Sequence, residues 1–441
     1  MNAQPETAAW SKARRNYSLG LLVAIYTLGF LDRQIINILA EPIEVDLGLS
    51  DTQLGLLTGL AFALFYTIMG VPIARLADSY CRPKIIAASI SIWSGFTALC
   101  GLANSFAALF LLRVGVGVGE AGCSPPAVSM IADFVPRAKR ASAMAVYALG
   151  NPLGSLLGLA FGGLVAGLFG WRVAFFVAGL PGIVVALLAF STLREPRENF
   201  KNAAAEPPPM GEALREIASK RCFWLLGVGA AMMAFVSYGK VAFYGSFFLR
   251  NHGAQLEVAA EAFGFAMGLV LPPLSFLGIM LGILLGISGG IGVILGGWIA
   301  DRAALRGVKA YMTAPALAGV AQIPFFVAAL FVSDMWLSLA LFCIPGVLTA
   351  FWFGPVFAVI VGLVRPRVRA SCGACLQLVI NIIGLGLGPL SVGLLSSALS
   401  GTGSGDGASL RLSMAICSLA GLVAAACFHH AKRYLEQEFV G

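Results

Sequence analysis

The stretch 70–84, GVPIARLADSYCRPK, decides the fold because part of it is repeated. Leu76-Ala77-Asp78 closes one long apolar run. Ile299-Ala300-Asp301-Arg302 closes another, 223 residues on from 78 to 301. A second echo follows the first. Arg140-Ala141-Ser142 opens an apolar run, and Arg369-Ala370-Ser371 opens one 229 residues on, from 140 to 369. Two copies of one unit, in the same order, predict two equivalent bundles with a cavity between them near mid-membrane.

The runs around these echoes set the scale. A helix needs about 20 apolar residues to cross a bilayer. Twelve runs qualify: 17–40, 51–74, 85–103, 106–131, 142–166, 173–193, 221–249, 277–299, 311–332, 336–363, 370–398 and 410–430. The expected division is a cytosolic segment 1–16, a six-helix bundle 17–193, a cytosolic linker 194–220, a second six-helix bundle 221–430 and a cytosolic tail 431–441. The linker carries Pro207-Pro208-Pro209 and a short amphipathic helix at Gly211–Ser219. Ala262–Leu271 is too short to span and is expected to form an external interfacial helix before Pro272-Pro273.

Of the 441 residues, 59% are apolar and 11% charged, against about 25% charged in a soluble domain. An ordinary soluble enzyme and a disordered chain are both excluded. The net charge of +8 has a topological cause. Of 29 Lys and Arg, 23 fall in the segments placed inside and three (Arg172, Arg250, Arg411) in those placed outside. This bias puts both termini in the cytosol of a cell (inner) membrane. It leaves no need for a nucleic-acid partner. The nine cysteines include Cys372-x-x-Cys375, which reads as small packing residues at the start of an apolar helix. The glycines Gly115, Gly117 and Gly119 follow no strand and lie in a membrane run, so they read as close-packing positions, not a nucleotide loop. The small residues from Gly150 through Gly154 and Gly158 to Gly162 read the same way, with a bend at Pro152. No metal cluster, cofactor motif or ATP loop is present, and nothing assembles a nucleophile with an acid or base. The expectation is no enzyme, no metal and no cofactor, and a monomer driven by an ion gradient.

Ionisable groups inside a membrane are costly and mark function. Five fall in the runs: Asp32, Arg33, Arg113, Glu120 and Lys240. At about 1.5 Å per residue, Asp32 and Arg113 lie at matching depths, roughly 6–7 Å outward of centre, so an Asp32–Arg113 ion pair is expected. Glu120 lies two turns from Arg113 on the same face. Arg33 is about 100° from Asp32, so one faces the cavity and the other a neighbouring helix. Asp32, Arg113 and Glu120 are the expected proton-coupling residues, and a carboxylate beside Arg113 switches with its surroundings. Arg33, Arg113, Lys240, Tyr26, Tyr147 and Tyr244 are the expected substrate contacts. Lys240 has the alternative of snorkelling outward. Asp78, with Arg82, is expected to latch the halves at the cytosolic face when the outside is open. Asp133, Arg137 and Arg140 complete that latch, and Asp301 repeats it.

These residues also carry a resemblance. Residues 70–84 resemble the major facilitator signature between helices two and three, with Ser79 in place of the usual Arg and Cys81 in place of the usual Gly. Phe30-Leu31-Asp32-Arg33 and Arg113-x-x-x-Gly117-x-Gly119-Glu120-Ala121 resemble the Spinster branch. Ile131-Ala132-Asp133-Phe134 and Trp171-Arg172-x-Ala174-Phe175 add to the match. The resemblance implies the major facilitator fold, all-α with twelve transmembrane helices in two six-helix bundles, in a bacterial Spinster-like protein. It implies a proton-coupled secondary transporter of an amphipathic anion, such as a lysophospholipid or sphingoid phosphate. An Asp-Arg pair in helix one and Glu-Ala in helix four also occur in organic-anion symporters of the superfamily, the alternative reading. The implied partners are the lipid bilayer, protons and that anionic substrate.

Overall fold

A computed structural model describes residues 10–136, 139–196, 210–305, 307–360, 362–365, 368–401 and 406–440. Among them, twelve helices are long and apolar enough to cross a membrane. They are α1 (Lys12–Leu47), α2 (Asp51–Ala77), α3 (Arg82–Cys100), α4 (Phe106–Phe134), α5 (Ser142–Phe169), α6 (Trp171–Thr192), α7 (Arg221–Met267), α8 (Pro273–Ala303), α9 (Val308–Phe331), α10 (Met335–Ile360), α11 (Ser371–Ser400) and α12 (Gly407–Glu438). Each matches one apolar run. An even number of crossings puts both ends of the chain on one face, the near face; the opposite face is the far face.

The buried apolar side chains fall into three clusters, and their layout gives the shape. One cluster fills the far half and joins both bundles, from Ile35 and Leu39 of α1 to Phe243 and Phe247 of α7 and Phe276 of α8. The near half holds two clusters. One is built almost wholly from the first bundle (Ile86, Trp93, Met130), with Leu385 of α11 at its edge, and one from the second (Phe223, Val356, Phe428). The bundles are therefore packed together at the far end and separate at the near end.

Two close approaches allow this. Gly117 of α4 sits where a Cβ would be 2.7 Å from the Phe62 carbonyl oxygen of α2. Gly393 of α11 lies against the Asp51 backbone of α2, with no room for a side chain. The run from Gly150 to Gly162 packs along α1, as its spacing predicted.

One expectation needs correction. The helix expected at 262–271 is the end of α7. That helix bends at His252 (φ −127°, ψ 19°), resumes, and stops at Gly268 in the left-handed region (φ 68°). Arg250, Glu257 and Glu261 lower the local hydropathy and hide the continuation. Leu256, Ala260 and Gly264, one turn apart, bury one face of it. The short linker helix spans Met210–Ser219. Ala213 and Ile217 bury it on the second bundle, and Arg365 holds Glu212 and Glu216 at 3.1 and 2.7 Å. Pro207-Pro208-Pro209 lies outside the described residues.

Candidate functional site

The centre is built where α4 breaks. Its first segment, Phe106–Glu120, ends in a turn, and a second, Ser124–Phe134, begins with Pro125 and Pro126 in its first turn. Proline needs no helical N–H there and disfavours helix in the residue before it. The break leaves Glu120 at the end of a half-helix, over Gly29 of α1.

Arg33 reaches Glu120 from α1, with Nε donating to Oε2 at 2.6 Å. The Arg33 guanidinium also sits 4.5, 4.7 and 5.0 Å from the ring centroids of Tyr66, Phe62 and Phe30, a cation–π cage. Asp32 points elsewhere, towards α3, where Thr97 Oγ1 donates to it at 3.1 Å. The ion pair formed is thus Arg33–Glu120. The expected Asp32–Arg113 pair is absent among the described residues. Matching depth brought Asp32 and Arg113 level, but the 100° step along α1 turned Arg33 to the Glu120 side.

Arg113 is 1% exposed. Its Nε and Nη1 make no hydrogen bond, and its guanidinium lies 5.5 Å from the Phe62 ring centroid. Arg33, Arg113, Phe30, Phe62, Tyr238 and Leu385 line a small cavity between the bundles. Tyr26 stacks on Tyr147 at 4.5 Å and meets the edge of Phe30 at 5.0 Å, backing the cavity wall.

Lys240 and Tyr244 do not join this group. α7 lines the cavity with Tyr238 and Ala242. Lys240 is about 200° round the helix from Tyr238, and Tyr244 follows Lys240 one turn on. Lys240 Nζ donates to the Pro345 carbonyl (3.0 Å) and Thr349 Oγ1 (3.1 Å) of α10. Tyr244 packs on Phe342 at 4.8 Å. Lys240 does not line this cavity, and it is held inward and does not snorkel.

At the near face, Arg82 is spent within the first bundle. It pairs with Glu195 at 2.5 Å and Asp133 at 2.7 Å, and Nη1 donates to Ser129 Oγ at 2.7 Å. Arg140 Nε donates to the Val135 carbonyl, also within that bundle. Asp301 is exposed and makes no ion pair among the described residues. The Asp78 side chain and all of Arg137 lie outside the description. No latch between the bundles forms here from Arg82, Asp133, Arg140 or Asp301.

The charges that do join the bundles lie at the far face, and the sequence reading missed them. Arg250 of α7 pairs with Glu41 (2.8 Å) and Glu44 (2.5 Å) of α1 and with Asp51 (3.0 Å) of α2. Asp51 also accepts from Ser396 Oγ of α11 at 2.5 Å. Three helices meet at one guanidinium, and α11 joins them through Asp51. The available signal was three carboxylates at the ends of α1 and α2, level with an arginine at the outer part of α7.

Two halves sealed at one end around a cavity of buried charges is the build of a transporter. The family model described as the Major Facilitator Superfamily matches residues 22–389. The chain is a member of that superfamily, a multi-pass membrane transporter. It is similar to a solved bacterial homologue of the human lysosomal transporter Spinster, in an inward-facing and unoccupied conformation, at TM-score 0.85 and 33% identity. That match covers 98% of this chain and 99% of the other. A curated MFS-type efflux pump of Mycolicibacterium smegmatis is 30% identical over 384 residues, 87% of this chain and 85% of that protein. The hexuronate transporter of Bacillus subtilis is 32% identical over 179 residues, 40% of this chain and 42% of that protein. As expected from the sequence, the fold is the major facilitator fold, and the similar proteins include a bacterial Spinster homologue.

Proposed function

We propose that this protein is a proton-coupled secondary transporter that moves an amphipathic anion by alternating access. On this reading the near face is cytosolic and the described state is inward-facing. One observation carries it: two arginines line the cavity, and among the described residues only Arg33 is ion-paired with a carboxylate, while Arg113 is 1% exposed with its Nε and Nη1 unbonded. A buried guanidinium with unbonded N–H groups in a membrane protein is a site for an anion. Arg113 offers a planar fork suited to carboxylate or phosphate. Phe30, Phe62, Tyr66 and Tyr238 give an apolar tail its surroundings.

The coupling runs through Glu120. Deprotonated, it holds Arg33 and competes with the substrate. A proton on Glu120 cancels that pair and turns Arg33 towards the bound anion beside Arg113. Asp32, which accepts from Thr97, is the second exchangeable carboxylate. Substrate and proton then stabilise each other, as linkage requires.

The alternative is a small organic-anion symporter, favoured by the similarity to the hexuronate transporter. Thermal unfolding of the purified protein across lysophospholipids, sphingoid phosphates and hexuronates separates the two, since a ligand stabilises by mass action. Stabilisation by the lipids, lost in Arg113→Ala, supports the first reading. Stabilisation by hexuronates alone supports the second. No stabilisation by any of the three classes, or equal stabilisation in Arg113→Ala, refutes the anion site.

A further inference from the structure

The break in α4 has a twin. α10 also divides, into Met335–Leu348 and Phe353–Ile360. Glu120 and Thr349 stand at the two breaks, 229 residues apart, the same offset as between Arg140 and Arg369. Pro126 and Pro355 follow at that offset too. On the partner helices, α1 presents Arg33 to the first break and α7 presents Lys240 to the second, 207 residues apart. The offset grows to 223 at Asp78 and Asp301, once the extension of α7 beyond His252 has been passed. Each bundle therefore holds a cation from its first helix against the C-terminal end of a half-helix in its fourth.

The chemistry of the two breaks differs. Arg33 meets a carboxylate. Lys240 meets the Pro345 carbonyl and the Thr349 hydroxyl, and is 3% exposed. The membrane-crossing cores of the second bundle carry no carboxylate level with it. The carbonyl end of the half-helix favours an ammonium, whereas burial without a counter-charge opposes one. Lysine gives up its proton under such a balance; arginine does not.

We infer that Lys240 is a proton-exchange site of the second bundle, acting on the α10 break with the opposite sign to Glu120 at the α4 break. As an ammonium, Lys240 ties α7 to the end of Met335–Leu348 through charge-assisted hydrogen bonds, about twice as strong as neutral ones. Losing one proton to a water in the small adjoining pocket leaves a neutral amine. The attraction to the helix end goes with it, and α10 is released. In the first bundle, gaining a proton on Glu120 unties Arg33. The inference extends the proposed coupling and takes from it only that protons drive the cycle.

The groups packed on Lys240 leave few competing titrations. Tyr244 lies one turn along α7, Cys343 is on α10, and Cys417 of α12 lines the same cavity. α9 contributes the Phe326 ring (5.9 Å to its centroid), and α11 contributes Val392.

Spin labels at the near-face ends of α7 and α10, both in the second bundle, read the tie directly. Double electron–electron resonance on the full chain in lipid nanodiscs, from pH 5 to 10 without substrate, is expected to show a step on the alkaline side. Lys240→Arg should stay on the short distance and Lys240→Met on the long one, both without that step. Thr349→Glu supplies a carboxylate and should move the step to higher pH, while Cys417→Ser should keep it in place. Glu120→Gln should leave it untouched, so failure of the carboxylate coupling and failure of this site read differently. A thermal melt confirms that each variant is folded. A wild-type protein with no alkaline step overturns the inference. So does a step that survives in Lys240→Met or Lys240→Arg.

Discussion

Two arginines, each held by carboxylates, mark the two ends of the molecule, and they do different mechanical work. Arg82 at the near face draws together Asp133 of its own bundle and Glu195, just past that bundle's last helix. Arg250 at the far face draws Glu41, Glu44 and Asp51 of the first bundle onto a helix of the second. On the alternating-access proposal, one cluster has no reason to change as the bundles rock, whereas the other would part when the far face opens. Similar chemistry becomes a weld or a gate according to which helices it joins.

The sharpest break of that comparison is Arg82→Met. It keeps the apolar stem and removes the Arg82 cation from Glu195, whose side chain is 8% exposed. Removing one partner of a buried pair costs about 3–5 kcal/mol. The expected result is a clear fall in Tm, with the ratio of inward to outward states in the surviving protein unchanged. A variant that melts normally but shifts that ratio would make Arg82 part of the gate.

Arg250→Gln should do the reverse. Three carboxylates without their cation repel each other across the closed face. The far face should open by about 2–4 kcal/mol, read as a population shift between labels on the far ends of α1 and α7. Unfolding should change little. An unaltered distance distribution would mean that the apolar contacts of the far half hold it shut alone.

Arg113→Lys tests the cavity between the two ends. A point charge in place of a fork should weaken binding of the anion by about 1–2 kcal/mol, and Arg113→Ala by more. Isothermal titration with the best ligand from the thermal screen measures both. Equal affinity in Arg113→Lys would show that charge alone is recognised.

The smallest effect belongs to the linker helix. Hydrogen bonds from Arg365 hold the Glu216 carboxyl below the usual carboxylate range. A depressed acid stabilises above its unfolded value, about 4.3 for Glu, and that contribution is lost as pH falls through the lower folded value. Protection of the amides over Met210–Ser219, relative to their intrinsic exchange rates, should therefore fall in acid, and Glu216→Gln should bring the same fall at neutral pH. Protection independent of pH and of Glu216 would leave Ala213 and Ile217 as the whole anchor.

Much of this was legible from residues alone. Helix count, the internal repeat, packing along Gly150–Gly162 and the list of five intramembrane charges follow from hydropathy, spacing and residue size, which are properties of local sequence. Which charges meet does not follow from them. Asp32 and Arg113 share a depth, yet Arg33 takes Glu120, because one residue along α1 turns a side chain to another neighbour. Lys240 sits in a run facing the cavity, yet helical phase turns it inward to α10. The Arg250 cluster joins residues more than 190 positions apart on helices of two bundles, so no window of sequence contains it. Depth and hydrophobicity vary slowly along a chain and survive small errors of register. Side-chain direction changes by about 100° with each residue, and only packed helices fix it.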